Sequence, residues 1–177
     1  MIKTIKKDYI RSSRNKKAFI VLLIFRIGNF LYHSNMNKFL KRLLVSFMWI
    51  LQMVFIEIPF SIEIPFAVKI GAGLRLIHIH GIVIHQSAII GENCTIFHQV
   101  TIGTNEHRIT YNQAPRIGNN VYIGAGAKII GDITIGNNVK IGANAVVTKD
   151  VPDNVVVVGI NTFKTSIETQ LRRTSII

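Results

Sequence analysis

Acidic residues are scarce in this chain. Nine Asp and Glu stand against 21 Lys and Arg over 177 residues, a formal net charge of +12. Cysteine is nearly absent: Cys94 alone cannot close an internal disulfide, which fits a reducing compartment and a buried free thiol. No uncharged apolar run reaches membrane-spanning length. The longest in the N-terminal third, Leu43 to Ile56, is about fourteen residues, against the roughly twenty that a spanning helix needs. No signal-peptide cleavage pattern follows the first apolar stretch, so export is not expected and a cytoplasmic location is. The basic charge comes without an aromatic-rich basic module or recognition motif, so nucleic acid is not an expected partner. The length supports one good core and is too short for two large domains.

What the chain does have is a period. Ile or Val returns every six residues at Ile117, Ile123, Ile129, Ile135, Ile141 and Val147, usually with Gly directly after it. The same step runs through Ile64, Ile70, Leu76 and Ile82 and, after a slip of two residues, through Ile84, Ile90, Ile96 and Ile102. Helices need apolar steps of three and four, and ordinary two-layer sheets need strict alternation, so neither fits. Hexapeptide periods belong to parallel β-helices, in which three short faces close a coil of about eighteen residues around aliphatic side chains. Gly and Asn, as in Asn119-Asn120 and Asn137-Asn138, suit the crowded corners. Between Ile102 and Ile117 the step is fifteen instead of twelve, which predicts a loop about three residues out of register within Thr104 to Arg116.

The division that follows is a basic helical region over 1–61, a solenoid over 62–160 and a C-terminal tail over 161–177. Residues 1–60 hold eleven Lys and Arg against two acids, Asp8 and Glu57. Two apolar stretches lie there: Ala18 to Tyr32, interrupted by Arg26 and Gly28, and about Phe39 to Ile58. They read as a helical pair that packs on itself and on neighbouring subunits. The other reading attaches them to an anionic membrane surface on its inner face, with Lys3, Lys6, Lys7, Arg11, Arg14, Lys16 and Lys17 meeting head groups.

Several segments carry a family resemblance: Lys69-Ile70-Gly71, Gly81-Ile82-Val83, Val100-Thr101-Ile102-Gly103, Ile123-Gly124-Ala125-Gly126-Ala127-Lys128-Ile129-Ile130-Gly131 and Lys140-Ile141-Gly142-Ala143. Together they resemble the serine acetyltransferase group of hexapeptide-repeat acyltransferases. The resemblance implies a left-handed parallel β-helix with an N-terminal α-helical extension. It also implies assembly as a homotrimer or a multiple of trimers, and acetyl transfer from acetyl-CoA to a hydroxyl without a metal. Its catalytic pair, an Asp followed fifteen residues later by a His, falls here on Glu63 and His78. A histidine suits the base because its ordinary pKa lies near working pH, and a carboxylate fixes its tautomer. Glu63 lengthens the acid by one methylene. Placed among Ile62, Ile64, Pro65 and Phe66, it is expected to need a partner against desolvation.

Other residues follow from the same resemblance. The pantetheine groove maps to Gly124, Ala125 and Gly126 and, one coil on, Ala143, with Lys140 toward a CoA phosphate and Gly103 and Thr104 near the thioester. From the residues themselves, His80 is expected to line the acceptor pocket or to hydrogen-bond a neighbouring subunit, and His98, two residues after a register aliphatic as His78 is, could approach the acceptor. Side-chain alternation along an extended strand would also put His78 and His80 on one side, a spacing that could hold a metal, although no Cys or Asp cluster accompanies it. His85 reads as a surface corner. Gln113 and Ala114 occupy the place of the Arg-His pair with which serine acetyltransferases grip a carboxylate, while His107 and Arg108 lie in the same loop and could substitute. The chain therefore looks closer to the sugar O-acetyltransferases of surface polysaccharide assembly. Serine O-acetylation and an inactive β-helix scaffold are the alternatives.

Overall fold

The computed structural model describes residues 1–12, 15–105 and 113–160, together with the backbone strand Thr162–Thr165. The six-residue period becomes a prism with three sheet faces. The first face stacks β1 (Lys69–Ile70), β4 (Ile89–Ile90), β7 (Arg116–Ile117) and β10 (Thr134–Ile135). The second stacks β2 (Arg75–Ile77), β5 (Thr95–Phe97), β8 (Tyr122–Ile123), β11 (Lys140–Ile141) and β13 (Val155–Val158). The third stacks β3 (Val83–Ile84), β6 (Thr101–Gly103), β9 (Lys128–Ile130) and β12 (Val146–Val147). These neighbours pair in parallel, which makes the domain a parallel β-helix, of the left-handed kind that the family resemblance implies. The tail begins as a strand: β14 (Thr162–Thr165) pairs antiparallel with β13.

Columns of aliphatic side chains fill the prism. Ile84, Ile102, Ile129 and Val147 stack on the third face, Leu76, Ile96, Ile123 and Ile141 on the second, and all are buried. Each contributes on the order of 1.5–3 kcal/mol of burial. One corner is an amide ladder: Asn120 Nδ2 donates to Asn138 Oδ1 at 3.1 Å, and Asn138 Nδ2 to Asn154 Oδ1 at 2.9 Å. All three have left-handed backbones, with φ of 57°, 57° and 63°, a conformation that Asn tolerates well.

The loop after β6 is longer than its spacing suggested. Ile102 is followed at once by the next face at Ile117, so fifteen residues do the work of six and the excursion is nine residues, not three. The earlier two-residue slip falls between Leu76 and Ile84. It makes the lowest coil twenty residues long, as the pairings Ile70 with Ile90 and Leu76 with Ile96 record, against eighteen for Ile84 with Ile102.

The helices dock on the lowest coils. Helix α1 (Ile2–Arg11) is held by Asp8, which is buried and accepts from Arg26 Nε at 2.8 Å and from the backbone N–H groups of Gly73 at 2.7 Å and Leu74 at 3.0 Å. Arg26 lies on α2 (Lys16–His33) and donates onward to the carbonyls of Ile70 and Gly71, each at 2.6 Å. Arg26 is thus a buried structural ion-pair partner. Gly28 lets α2 close on Phe66, because a Cβ there would run into the phenyl ring. Helix α3 (Lys38–Gln52) continues through a π-helical turn, Met53–Glu57, into the short α4 (Ile58–Phe60). The result is one helix of 23 residues, long and apolar enough to cross a membrane. The sequence reading fell short because it counted only the uncharged run.

Candidate active site

The two-residue slip forms the corner between the second and third faces on the lowest coil. Strand β2 ends at Ile77, and His78 turns out of it with a left-handed backbone of φ 54°. The segment His78-Ile79-His80 is therefore not extended, and the alternation that would pair two imidazoles for a metal does not apply. Ile79 turns inward and is buried, whereas His78 and His80 are exposed. Among the described residues, no three His, Cys, Asp or Glu side chains gather. The carbonyl of His80 accepts from Gln99 N–H at 2.8 Å, which ties the bulge to the next coil.

Register stacks the sequence-predicted residues on this corner. Ile77 pairs with Phe97, so His98 stands one coil above His78, and their rings meet edge to face with centroids 5.7 Å apart. Gly126 N–H donates to the His98 carbonyl at 3.0 Å, and Asn144 N–H to the Ala125 carbonyl at 2.8 Å. His78, His98, Ala125 and Ala143 thus form a column. His98 Nδ1 is buried and has no hydrogen-bond partner among the described residues. Phe97 lies 6.3 Å from the His78 ring and 5.1 Å from that of Tyr122. On the other side of His78 a cleft of about 350 Å³ runs to Arg75, Arg11 and Asn15. Aligning the coils at a step of twenty residues would have found Phe97. Arg11 and Asn15 carry no such signal, because they reach the site from the helices.

Glu63 sits beside this corner. Its backbone bridges Val83 in parallel and donates to Ile82 O at 2.8 Å, which makes it the outer residue of an incipient third-face strand. Because neighbouring strand residues alternate, Ile62 and Ile64 point into the core and Glu63 points to solvent. The desolvation expected for it does not occur in the single chain. No hydrogen bond joins Glu63 to His78 among the described residues. The fold brings carboxylate and imidazole to adjoining parts of one edge and leaves their contact to be made.

The groove residues divide into two kinds. Gly124 and Gly126 serve packing: a Cβ on Gly124 would lie 2.7 Å from Ala143 N, and one on Gly126, at φ +72°, would run into the Asn144 side chain. Ala125 and Ala143 keep the corner surface low. Lys140 is exposed beside it on β11, with no ion pair among the described residues. Such a shallow strip ending in an open cation can take an extended arm bearing a phosphate.

Gly103 and Thr104 lie elsewhere, at the corner between the third and first faces. Strand β6, which ends at Gly103 and is roughly 10 Å long, separates this corner from the one at His98. The carbonyl of Gly103 accepts from Gly131 N–H at 3.0 Å. There a cleft of about 360 Å³ is lined by Asn105, Gln113, Asp132 and Thr148 together with Ile130 and Ile133, and no Lys or Arg lines it among the described residues. Arg116 does not line it but pairs with Asp132, Nη1 to Oδ1 at 3.4 Å. Ala114 is buried. His107 and Arg108 fall outside the described residues. His85 is half-buried, and its Nδ1 accepts from Ser87 N–H at 3.2 Å, a turn-capping role. The site residues therefore occupy two corners of one prism.

Comparison with known proteins agrees with this architecture. Residues 114–149 match the bacterial transferase hexapeptide family (six repeats). A serine acetyltransferase of Buchnera aphidicola is 38% identical over 153 residues, 86% of this chain and 53% of the relative. The chain thus spans about half the length of that relative. WcaB of Escherichia coli K12, named as a candidate colanic acid biosynthesis acetyltransferase, is 36% identical over 86% of this chain and 93% of its own length. Among solved structures, serine acetyltransferase of Brucella abortus in complex with coenzyme A superimposes with a TM-score of 0.77 at 30% identity, covering 92% of this chain and 66% of that one. The soybean enzyme complexed with serine gives 0.76 at 30% identity, covering 92% and 68%. By repeat, register and similarity, the chain belongs to the serine acetyltransferase-like hexapeptide-repeat acyltransferases.

Proposed function

We propose that this chain is an acetyl-CoA-dependent O-acetyltransferase whose acceptor is a sugar hydroxyl in surface polysaccharide synthesis. His78 takes the proton of the acceptor hydroxyl as its oxygen attacks the thioester carbonyl. The carbon–sulfur bond then breaks, and the imidazolium returns the proton to the departing CoA thiolate. Glu63 orients the imidazole and stabilises its charge. Ala125, Ala143 and Lys140 accommodate the pantetheine arm and a phosphate. The chain assembles as a homotrimer or a multiple of trimers, in which the His78 corner of one subunit meets the Gln113 corner of the next.

The observation that carries the acceptor assignment is the charge of the Gln113 cleft. A free amino acid would bring its carboxylate toward Asp132 with no cation lining the described wall, and an unpaired charge is costly. Neutral hydroxyls can hydrogen-bond with Gln113 and Asn105 instead. The match with WcaB over nearly both full lengths supports the same reading, while the likeness to serine acetyltransferases supports serine as the competitor. CoA release measured against serine and a panel of nucleotide sugars and glycans tests it. A suitable glycan is expected to react at least about tenfold faster than serine, the ratio given by about 1.4 kcal/mol of transition-state preference. Saturable acetylation of serine, with no glycan doing better, would place the carboxylate grip in His107 and Arg108.

A further inference from the structure

Helix α3 turns its apolar side outward. Leu43, Phe47, Ile50 and Val54 recur at helical spacing and are 58, 55, 50 and 44% exposed, and Phe39 continues the stripe at 79%. On the opposite side Met48, Gln52 and Ile56 are buried. A helix that is apolar all round belongs in a core or in lipid, and this one has only one side in a core. Cations frame the stripe. Lys38 and Arg42 are exposed at its start, with no ion pair among the described residues. With Tyr32, Phe39 and Val45 they line a cleft of about 590 Å³ at the α2–α3 turn, apolar within and basic at its rim. Acidic compensation is lacking, because both acids of residues 1–60 are engaged internally: Asp8 with Arg26, and Glu57 with Gln52 Nε2 at 3.0 Å.

We propose that this surface lies on an anionic phospholipid bilayer, with the stripe in the acyl boundary and head-group phosphates at Lys38 and Arg42. A second copy of the chain fits less well, because pairing through this face would bring two strongly basic regions together. The helix lies in the interface and does not cross the bilayer. Gln52 Nε2 donates to Ile64 O at 3.1 Å, so the buried side is fastened to the first coil, and Ile62 enters the solenoid core two residues after α4 ends. Lys7 and Arg11, expected from sequence to meet head groups, are committed to the solenoid, to Glu92 at 2.7 Å and to Thr95 at 3.1 Å. Of the other cations expected there, Lys3, Lys6, Lys16 and Lys17 are exposed, and Arg14 lies outside the described residues. This inference is independent of the acceptor assignment.

Trp49, the lone tryptophan, is 53% exposed on α3, about 120° around the helix from Leu43, and reports on the edge of this surface. The full chain is to be mixed with vesicles of phosphatidylcholine alone or with phosphatidylglycerol added. Cosedimentation and Trp49 fluorescence are then measured. Binding to the anionic vesicles with a blue shift of Trp49 is expected. Lys38→Gln with Arg42→Gln should weaken it by about tenfold or more, since each cation near an anionic surface contributes roughly fivefold. Leu43→Glu with Phe47→Glu, both at exposed positions, should abolish it while circular dichroism stays unchanged. Free inorganic phosphate at the concentration of lipid phosphate should not compete, since the apolar stripe supplies much of the affinity. No binding to anionic vesicles would overturn the proposal, as would equal binding to neutral ones. A change of oligomeric size in the Leu43→Glu, Phe47→Glu variant, with vesicle binding intact, would assign the face to a second copy.

Discussion

The ring of His98 stands one coil above that of His78, edge to face at 5.7 Å, so two imidazoles share the corner where general-base chemistry is proposed. Their backbones separate them. His78 occupies the two-residue bulge of the lowest coil, exposed and with a left-handed backbone, whereas His98 is half-buried, with no partner for its Nδ1 among the described residues. His78→Ala should lower kcat by about a hundredfold or more, the range for loss of a positioned base, with acetyl-CoA binding retained in calorimetry. His98→Asn should cost less than about tenfold, and Glu63→Gln an intermediate amount, by the same scale. His85→Ala removes a turn cap and should leave kcat almost unchanged. A full rate in His78→Ala would move the base to His98.

The inward aliphatic columns and a two-residue slip were legible in the sequence, because period and slip are properties of spacing alone. But spacing put the slip after Ile82 and left His78 on an extended strand, where the structure has the bulge. The nine-residue excursion was misjudged for a physical reason: spacing does not say how many faces lie between Ile102 and Ile117, and only closure of the coil decides that one does. Glu63 shows a signal that was present and overridden. Strand alternation alone turns a residue between Ile62 and Ile64 outward. The joining of Asp8 to Arg26 left no pattern, since the partners lie on different helices and their burial depends on Gly73 and Leu74, far along the chain.

That ion pair carries the second prediction. Asp8 serves one guanidinium and two backbone N–H groups from a buried position, and Arg26 in turn satisfies two carbonyls of the first solenoid turn. Asp8→Ala leaves a buried cation and two buried donors without their acceptor. Removing one partner of such a pair typically costs about 3–5 kcal/mol. The loss should appear in urea unfolding as an early release of helical signal, while the β signal of the solenoid persists to higher denaturant. A single transition at the wild-type midpoint would contradict the docking role.

Packing between α2 and Phe66 gives a sharper test. A methyl group at Gly28 would overlap the phenyl ring, so Gly28→Ala should destabilise by about 1–3 kcal/mol through overpacking, despite its better helix propensity. Phe66→Leu clears the space. The double variant should recover part of the loss, and denaturation midpoints of all four species give the coupling. Additive effects would show that the helix moves aside.

Burial pushes the Cys94 thiol above its ordinary range, partly offset by a hydrogen bond from the backbone of Val121 and by the charge of Arg11. Its Sγ lies 3.2 Å from the Gly118 carbonyl, placed to donate a weak hydrogen bond. Because the folded pKa is raised, the associated stability is fully present below the unfolded pKa and is lost as pH rises through the folded value. Wild type should therefore lose melting temperature in the alkaline range more steeply than Cys94→Ala. The native thiol should also react with a disulfide reagent only at the rate of unfolding. Rapid labelling of the folded protein would place Cys94 at the surface.

The two-corner geometry makes the last prediction. If each active site combines the His78 corner of one subunit with the Gln113 corner of the next, no subunit contains a whole site and the ring closes through heterologous interfaces. His78→Ala destroys one corner, and Gln113→Trp should fill the other, so each variant alone is expected to be inactive. Refolding the two together in equal amounts mixes subunits at random. An interface then keeps both intact corners in about a quarter of cases, and about a quarter of wild-type CoA release should return. A site built within one subunit would give a different result, since every subunit in the mixture carries a lesion and activity would stay absent. Size-exclusion chromatography of the mixture separates this outcome from failed assembly: trimers without recovered activity would place both corners' chemistry in the same chain.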